Sequence, residues 1–537
     1  MKRRMHNRPR ALRPKPELWL RFAPGSGRGS ASGSMRESGP GFMPGSAPGS
    51  WHGFWLGLSL AILVLGLMAT QVELRDTDIA VYATAAERVF VDGEDPYPRR
   101  PGDVLPFTYP PTALPLLYPI SGLSLEQLGK VMLALNLMLT IVVMVVIVGD
   151  LARDDQSGKL RFWGPLYIAG FGGLYLNLQF GQVNLLLLLL IWGYWRALRS
   201  DREGAGAGAW LALGCLAKPH YVLLGLGAGP LPRLRLVIGG LLAGSLLIGL
   251  SLWIAPSGSW VSWWQDIVAT TSLTQLPPGH SSIAAPWNRS LAGAIARFLV
   301  PNKFSSIIAD DPALAARLTG SAILIVIGAT GAVLWRSMRR RLASRLEPRH
   351  SAPQPAPQPA PPRVAAGAAP RSIQTGASRH NSHWAQPRGA IDHDIELSLI
   401  SIAVFLISPA SWTHHLVLLL PAALVVLRDR VLAPGLAPSS RFAAGLVLAV
   451  LALTLDDLIP REIRVSSLPL MTLMTVAVIA LWLLLAEQLW QRSGLGCLPR
   501  PNQQPSIDTE HEDNAVCGTN ASTGTTTSTA PSRANSW

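Results

Sequence analysis

The chain has 537 residues, of which 49% are hydrophobic and 15% are charged. Soluble globular proteins carry about 25% charged residues, so this composition excludes an ordinary soluble enzyme. The net charge of +14 arises from two basic segments, residues 1–50 and 336–390. Neither segment interleaves its basic residues with aromatic side chains on a folded domain, which argues against nucleic-acid binding. Such segments are typical of the cytoplasmic side of a membrane protein.

Long apolar runs recur along the chain, and each approaches or reaches the roughly 20 residues that span a bilayer as a helix. They lie at Trp55–Thr70, Val131–Val148, Leu185–Leu198, Leu236–Ile254, Ala322–Trp335 and Leu470–Leu489. The sequence therefore predicts an all-α polytopic membrane protein.

Three segments have low complexity or are polar, and we predict that they are disordered. They are the N-terminal segment 1–50, the Pro- and Arg-rich linker 337–390 and the C-terminal tail 493–537. The membrane core then consists of two parts, 51–336 and 391–492. The three cysteines have no metal-binding or disulfide spacing.

The basic segments also predict the orientation of the spans. With residues 1–50 in the cytoplasm, the first span leads to an external loop at 73–110 that carries eight acidic and four basic residues. Residues 205–229 are broken by Lys-Pro-His and are predicted to form a hairpin of two short helical arms with its tip outside. When the remaining spans are assigned in the same way, every basic linker lies inside and every polar, motif-like turn lies outside.

Several of these external turns carry side chains that could support chemistry. Asp76 and Asp78 directly follow the first span and could act as a general base on a sugar hydroxyl, bind a metal or simply cap a solvated helix. Lys218 either extends to the membrane interface or binds a phosphate beside free helix-end amides. His414 and His415 are either hydrogen-bonded structural groups or part of a site, and their spacing does not favour zinc.

Seven segments resemble glycosyltransferase family eighty-seven, which comprises polyprenyl-phosphate-mannose-dependent mannosyltransferases. They are TDIAVY, DPY, LPFTYPP, FGQVNLLLLL, AKPHYVLL, WNRSLAGAIARFL and SPASWTHHLVLLLPAAL, in that order. The resemblance covers about residues 55–490 except for the linker. It implies a GT-C fold, which is a bundle of about 10–13 transmembrane helices with an extracytoplasmic active site. The resemblance also implies that the protein is a hexosyltransferase.

The resemblance further implies roles for single residues. The family's Asp-x-x-x-Tyr pattern falls on Asp78 and Tyr82, so Asp78 is the expected catalytic base, with Asp76 as the fallback. Preorganised cations would stabilise the leaving polyprenyl phosphate, and Lys218, His414 and His415 are the candidates. The expected substrate-binding residues are Tyr82, Tyr109, Gln182, Asn184, Lys218, Asn288, Arg289, Trp412, His414 and His415. No metal and no other cofactor is expected.

The expected reaction moves a mannosyl residue from polyprenyl-phosphate mannose to a mannoside or to a phosphatidylinositol-mannoside or lipomannan-type glycolipid, forming an α-(1→2) linkage. The enzyme would sit in the cell membrane, in contact with membrane lipids and with no nucleic acid. Two departures from the family leave the acceptor open. Members that modify phosphatidylinositol mannosides tend to have Lys-x-Thr-Pro where this chain has Lys218-Pro219-His220, and Asn-Gln-Ser where it has Asn288-Arg289-Ser290.

Other functions remain compatible with the sequence. They are transfer of another lipid-linked sugar, transport of a lipid-linked glycan, and a non-catalytic membrane scaffold that would not need Asp78. A transporter is expected to show internal repeats and charged residues in the middle of its spans. No clear repeat is present and the polar motifs gather on one side, which favours the enzyme.

Overall fold

The fold is helical throughout the part of the chain that the computed structural model describes, which comprises residues 51–199, 204–228, 234–346, 389–454, 463 and 467–494. Within these residues β-type pairing is limited to one isolated bridge, between Asn288 and Trp412. The prediction of an all-α polytopic membrane protein is confirmed.

Most of the helices follow one another with short connections, and longer ones lie at 88–124 and 255–290. The helices are α1 Trp51–Gln71, α2 Asp76–Glu87, α3 Leu125–Leu151, α4 Leu160–Ala169, α5 Gly172–Gln179, α6 Asn184–Arg199, α7 Ala205–Gly214, α8 Leu234–Ile254, α9 Leu291–Leu299, α10 Pro312–Leu346, α11 Gly389–Ile407, α12 Leu420–Val426, α13 Pro438–Leu453 and α14 Leu468–Gly494. Segments of 3₁₀ helix occur at Pro111–Ile120, Pro219–Ala228 and Thr413–Leu419.

Five of the described helices, α1, α3, α8, α10 and α14, contain stretches long and apolar enough to cross a membrane. Helix α11 is also 19 residues long, but its first turns carry Asp392, Asp394 and Glu396. Helix α7 and the 3₁₀ helix Pro219–Ala228 form the two arms of the hairpin predicted at 205–229, with Lys218 in the turn between them.

The predicted boundaries of the central linker differ from those of the helices. Helix α10 continues ten residues beyond position 336 because Arg, Leu and Ala are strong helix formers and because Ser337 and Arg341 bind Glu396 of α11. Helix α11 begins at Gly389. The predicted disordered tail was 493–537, but its first two residues belong to α14, which ends at Gly494. The remainder of the linker, 347–388, the predicted disordered segment 1–50 and the rest of the tail, 495–537, lie outside the described residues.

The centre of the bundle is supplied by the second part of the chain. Almost every described side chain from His393 to Val431 is buried, including Leu399, Phe405 and Leu424, and the segment packs between α6 and α14. Because α11 and α12 are enclosed by protein, they can carry polar residues that a lipid-facing helix would expose to hydrocarbon. The irregular backbone between them is enclosed in the same way.

An ion-pair cluster joins α6, α11 and the segment after α12. The fully buried Asp394 accepts hydrogen bonds from Arg199 Nη1 at 2.5 Å, Arg428 Nη1 at 2.9 Å and Trp195 Nε1 at 3.0 Å. Arg199 also pairs with Asp154, which follows α3. The cost of burying these charges is offset only while every partner is present.

Replacement of Asp394 by Asn is expected to destabilise the protein by about 3–5 kcal/mol, because it leaves two buried guanidinium groups without their shared carboxylate. The measurement is the unfolding free energy in detergent micelles, followed by far-UV circular dichroism.

Asp392→Asn is the matched control. Asp392 pairs with Arg492 Nε at 2.8 Å in a partly exposed position of the same helix. Its loss is expected to cost less than about 1 kcal/mol. Equal destabilisation by the two substitutions would contradict the importance of the buried cluster.

Candidate active site

A cavity of about 680 Å³ lies where α6 begins and α11 ends, and its volume is in the range of ligand-binding pockets. The walls come from the segment between α1 and α3, the turn before α6, the tip of the 205–228 hairpin, the segment after α8 and the loop after α11. Asp78 is the acidic residue among the lining side chains. Arg75, Lys218, His220, His280, His414 and His415 supply basic or imidazole groups.

The Gln182 carboxamide organises the acidic side of the cavity. Its Nε2 donates to Asp78 Oδ2 at 2.9 Å, and its Oε1 accepts from the hydroxyls of Tyr82 at 3.1 Å and Tyr109 at 3.3 Å. Tyr97 in turn donates to the backbone oxygen of Tyr109 at 2.8 Å. One face of Asp78 is therefore held in place by a network that extends through three segments of the first part of the chain.

Gly181 explains why the FGQVN segment can place Gln182 there. Its φ of +59° is in the left-handed region, which glycine adopts without strain. A Cβ at this position would also lie 2.9 Å from Ile79 Cγ1 of α2. The tight turn thus brings Gln182 against α2 and starts α6 two residues later.

Burial changes the acidity of the Asp78 carboxyl. Desolvation raises its pKa to about 6, and the hydrogen bond from Gln182 opposes part of that rise. The carboxylate is therefore more basic than an exposed aspartate and still ionised at neutral pH, which suits a general base.

The loops that contain WNRS and SPASWTHH are bonded to each other along their backbones. Arg289 N donates to Ser411 O at 2.6 Å, and Thr413 N donates to Trp287 O at 2.9 Å. The Asn288 carboxamide, fully buried, holds both loops: Nδ2 donates to Ile283 O and Pro409 O, and Oδ1 accepts from Ser290 N and Ser411 N. All the hydrogen-bonding capacity of one amide is used.

This pairing sets the orientation of His415. The backbone N–H of Trp412 donates to His415 Nδ1 at 3.2 Å, so the neutral ring carries its proton on Nε2. The His414 ring lies edge-on to His415, with centroids 4.6 Å apart, and also contacts Phe180 at 5.5 Å. Both histidines line the cavity.

Lys218 reaches the same wall from the tip of the hairpin. Burial in the cavity wall lowers its pKa to about 7. Its ammonium group lies within electrostatic range of His220, His414 and His415. An anion bound at this wall would favour the charged form of Lys218.

Eight of the eleven residues that the sequence analysis proposed for the site line the cavity. They are Asp78, Tyr82, Tyr109, Gln182, Lys218, Trp412, His414 and His415. The other three, Asn184, Asn288 and Arg289, lie behind the wall. Asn184 Nδ2 donates to Asn177 Oδ1 at 3.1 Å, and Arg289 Nε donates to Thr413 Oγ1 at 3.1 Å, so in this structure these side chains contact protein.

Other lining residues were not anticipated. His280 and Trp263 come from the loop after α8, and Arg75 precedes α2. The PPGH turn was a usable signal for His280, because Pro-Gly pairs mark tight turns that present the next side chain. The side chain of Asp76, the fallback base, lies outside what the structure describes. Among the described residues no group of three potential metal ligands comes together. The expectation of metal-free chemistry stays a prediction.

Comparison with known proteins supports one family. The sequence profile of glycosyltransferase family 87 matches residues 107–348. A curated relative from Mycobacterium tuberculosis (strain ATCC 25618 / H37Rv) is 26% identical over 371 residues, which is 65% of this chain and 69% of the relative. That relative is named a polyprenol-phosphate-mannose-dependent alpha-(1-2)-phosphatidylinositol mannoside mannosyltransferase. Both matches support the resemblance to glycosyltransferase family 87.

These two matches confirm the predicted enzyme class, a membrane hexosyltransferase. The profile match includes Tyr109, Gln182, Lys218 and Asn288, but it does not extend to Asp78 or to the 408–415 loop. The roles of single residues in this protein therefore rest on geometry. No solved structure matches the chain.

Asn288→Asp tests the pairing of the two loops. The substitution keeps the size of the side chain but turns the donor toward Ile283 O and Pro409 O into an acceptor. Leaving these buried carbonyls unpaired is expected to cost about 1–3 kcal/mol, measured as unfolding free energy in detergent.

Asn302→Asp is the matched control, because Asn302 sits in a half-buried turn and donates a single hydrogen bond, to Val300 O at 2.8 Å. Its cost is expected to be at most half that of Asn288→Asp. A smaller effect at Asn288 than at Asn302 would contradict the structural role assigned to Asn288.

Proposed function

We propose that this enzyme transfers a mannosyl residue from polyprenyl-phosphate mannose to a mannoside, phosphatidylinositol-mannoside or lipomannan-type acceptor. The linkage formed is α-(1→2), and the cavity faces the extracytoplasmic side. The observation that carries the proposal is the division of one cavity into a carboxylate held by Gln182 and a wall of basic and imidazole groups. The name of the relative supports the donor and the linkage.

Asp78 is the general base in this proposal. Gln182 occupies Oδ2, and within the described residues no hydrogen bond reaches Oδ1, so this oxygen is available to an acceptor hydroxyl in the cavity. Asp78 takes the proton as the acceptor oxygen bonds to the anomeric carbon. The bond from that carbon to the phosphate oxygen breaks, which inverts a β-linked donor to an α-linked product.

The basic wall stabilises the leaving group. The polyprenyl phosphate gains negative charge as the glycosidic bond breaks, and fixed donors that already point at this charge lower the barrier. Lys218 supplies an ammonium group and His415 supplies Nε2–H, while His414 packs beside them. The position of the wall at the ends of apolar helices is compatible with a phosphate that is anchored by a lipid.

Two features support the extracytoplasmic side. The basic segments 1–50 and 336–390 are typical of cytoplasmic regions. The cavity lies at the opposite end of α11 from Asp392 and Asp394, which lie near the second of these segments in the chain. A lipid-linked donor suits this side because it needs no soluble nucleotide sugar.

Asp78→Asn is expected to reduce mannosyl transfer by about 10²–10⁴-fold, because it removes the base while keeping the hydrogen bond acceptor for Gln182. The assay uses purified protein in detergent with radiolabelled polyprenyl-phosphate mannose and mannoside or phosphatidylinositol-mannoside acceptors. Asp92→Asn, at an exposed position of the same external region, is the matched control and should retain full activity. A wild-type enzyme that transfers no mannose to any of these acceptors rejects the proposed donor, and full activity of Asp78→Asn rejects the base.

The pH profile gives a second test of Asp78. The base must be ionised, so kcat/KM should fall as the pH drops through the pKa of about 6. Gln182→Leu removes a hydrogen bond that lowers this pKa, and the acidic limb is therefore expected to move to higher pH. Asp92→Asn should leave the limb in place. A limb that moves to lower pH in Gln182→Leu would contradict the assignment.

A further inference from the structure

His280 is held in a fixed position on the cavity wall by its own loop. Residues 277–280 form a tight turn in which His280 N donates to Pro277 O at 3.0 Å, with Pro278 and Gly279 at its centre. Gly279 has φ of +82°, as the third position of a type II turn requires. The Arg99 side chain packs against this glycine so closely that a Cβ there would overlap the guanidinium group.

The imidazole ring is fixed as well. It stacks on Trp412 with an interplanar angle of 7° and a centroid distance of 5.3 Å. Its Nδ1 accepts a hydrogen bond from Ser281 N at 2.8 Å, so the neutral ring carries its proton on Nε2. Within the described residues nothing accepts a hydrogen bond from this Nε2, and the residue lines the cavity.

The surroundings favour a neutral, hydrogen-bonding ligand. Burial lowers the pKa of His280 to about 4, so the imidazole is uncharged at neutral pH. Trp263, Trp287 and Trp412 line the same cavity. Aromatic side chains beside a few oriented polar groups are the usual composition of a site for an uncharged organic ligand, and a hexose offers both apolar C–H faces and hydroxyl acceptors.

We propose that His280 is a further substrate-binding residue, which donates a hydrogen bond from Nε2 to a hydroxyl group of a hexose bound in the cavity. The inference rests on the proposed glycosyl transfer and adds a contact to the sugar, whereas Lys218 and His415 act on the phosphate. Its preorganised ring requires little ordering when substrate binds, which is why a single hydrogen bond there can contribute to selection of the sugar.

The test compares His280→Phe, which keeps a ring on Trp412 but lacks the donor, with His280→Gln, which retains a side-chain N–H. His280→Phe is expected to lower kcat/KM about tenfold, and His280→Gln is expected to restore part of the loss. His52→Phe, at the exposed start of α1, is the matched control and should have wild-type kinetics. Unchanged thermal unfolding of His280→Phe excludes a folding defect.

Monodeoxy substrates then identify the hydroxyl. The ratio of wild-type to His280→Phe kcat/KM is measured with monodeoxy mannosyl donors and with monodeoxy mannoside acceptors. For the compound that lacks the hydroxyl bound by His280, this ratio is expected to fall to about one, because neither wild type nor His280→Phe can then form the hydrogen bond. A donor compound assigns the contact to the transferred sugar, and an acceptor compound assigns it to the acceptor. A ratio that stays the same for every deoxy compound, or a His280→Phe enzyme with wild-type kcat/KM, overturns the proposal.

A binding comparison distinguishes failure of the proposed mannosyl transfer from failure of the His280 contact. If wild type transfers no mannose, the same variants are compared for binding of polyprenyl-phosphate mannose, polyprenyl phosphate and a mannoside. A loss in His280→Phe that is confined to the sugar-bearing ligands supports the contact, and equal binding by wild type and His280→Phe rejects it.

Discussion

The pairing of two irregular loops through the Asn288 carboxamide is the constraint on which the cavity depends. The 409–413 segment is buried in an apolar bundle, where every unpaired backbone group would be costly. Asn288 pairs with Pro409 O and Ser411 N, and the bridge to Trp412 completes the loop. Trp412 and His415 can then face the cavity with fixed orientations, because these hydrogen bonds hold the backbone beneath them.

The two ends of the bundle have different electrostatic roles. Helices α6 and α11 extend between them, so the ion-pair cluster at Arg199 and Asp394 lies about 20 Å from the cavity along helix α6. At the cluster, carboxylates and guanidinium groups pair with each other and join the two parts of the core that the 347–388 segment separates in sequence. At the cavity, basic and imidazole groups outnumber the one carboxylate among the described lining side chains, and this imbalance is compatible with an anion.

The distribution of groups within the cavity matches the charges that develop during glycosyl transfer from a lipid phosphate. Proton removal and departure of the phosphate occur at different atoms, and the protein places a carboxylate and a basic wall in one cavity. Neutral donors on a rigid aromatic wall, such as His280 on Trp412, add the third requirement, which is recognition of an uncharged sugar. Each group is oriented by a hydrogen bond on its far side, from Gln182 to Asp78, from Trp412 N to His415 and from Ser281 N to His280.

The sequence by itself determined the helical membrane fold, the short-armed hairpin around Lys218 and eight of the side chains that line the cavity, because apolar length, charge asymmetry and motif residues are local properties. Only the tertiary structure decided which motif residues face the cavity. The amide of Asn288 bonds to residues more than 120 positions away, and no local pattern indicates that it pairs with the loop that carries Trp412. The same reason applies to the extension of α10, which is stabilised by Glu396 from the other side of the linker. It also applies to His280: the PPGH sequence predicts its turn, but no local pattern predicts that its ring stacks on Trp412. Long-range pairing of irregular loops has no periodicity in the chain, so it becomes visible only when the segments are brought together.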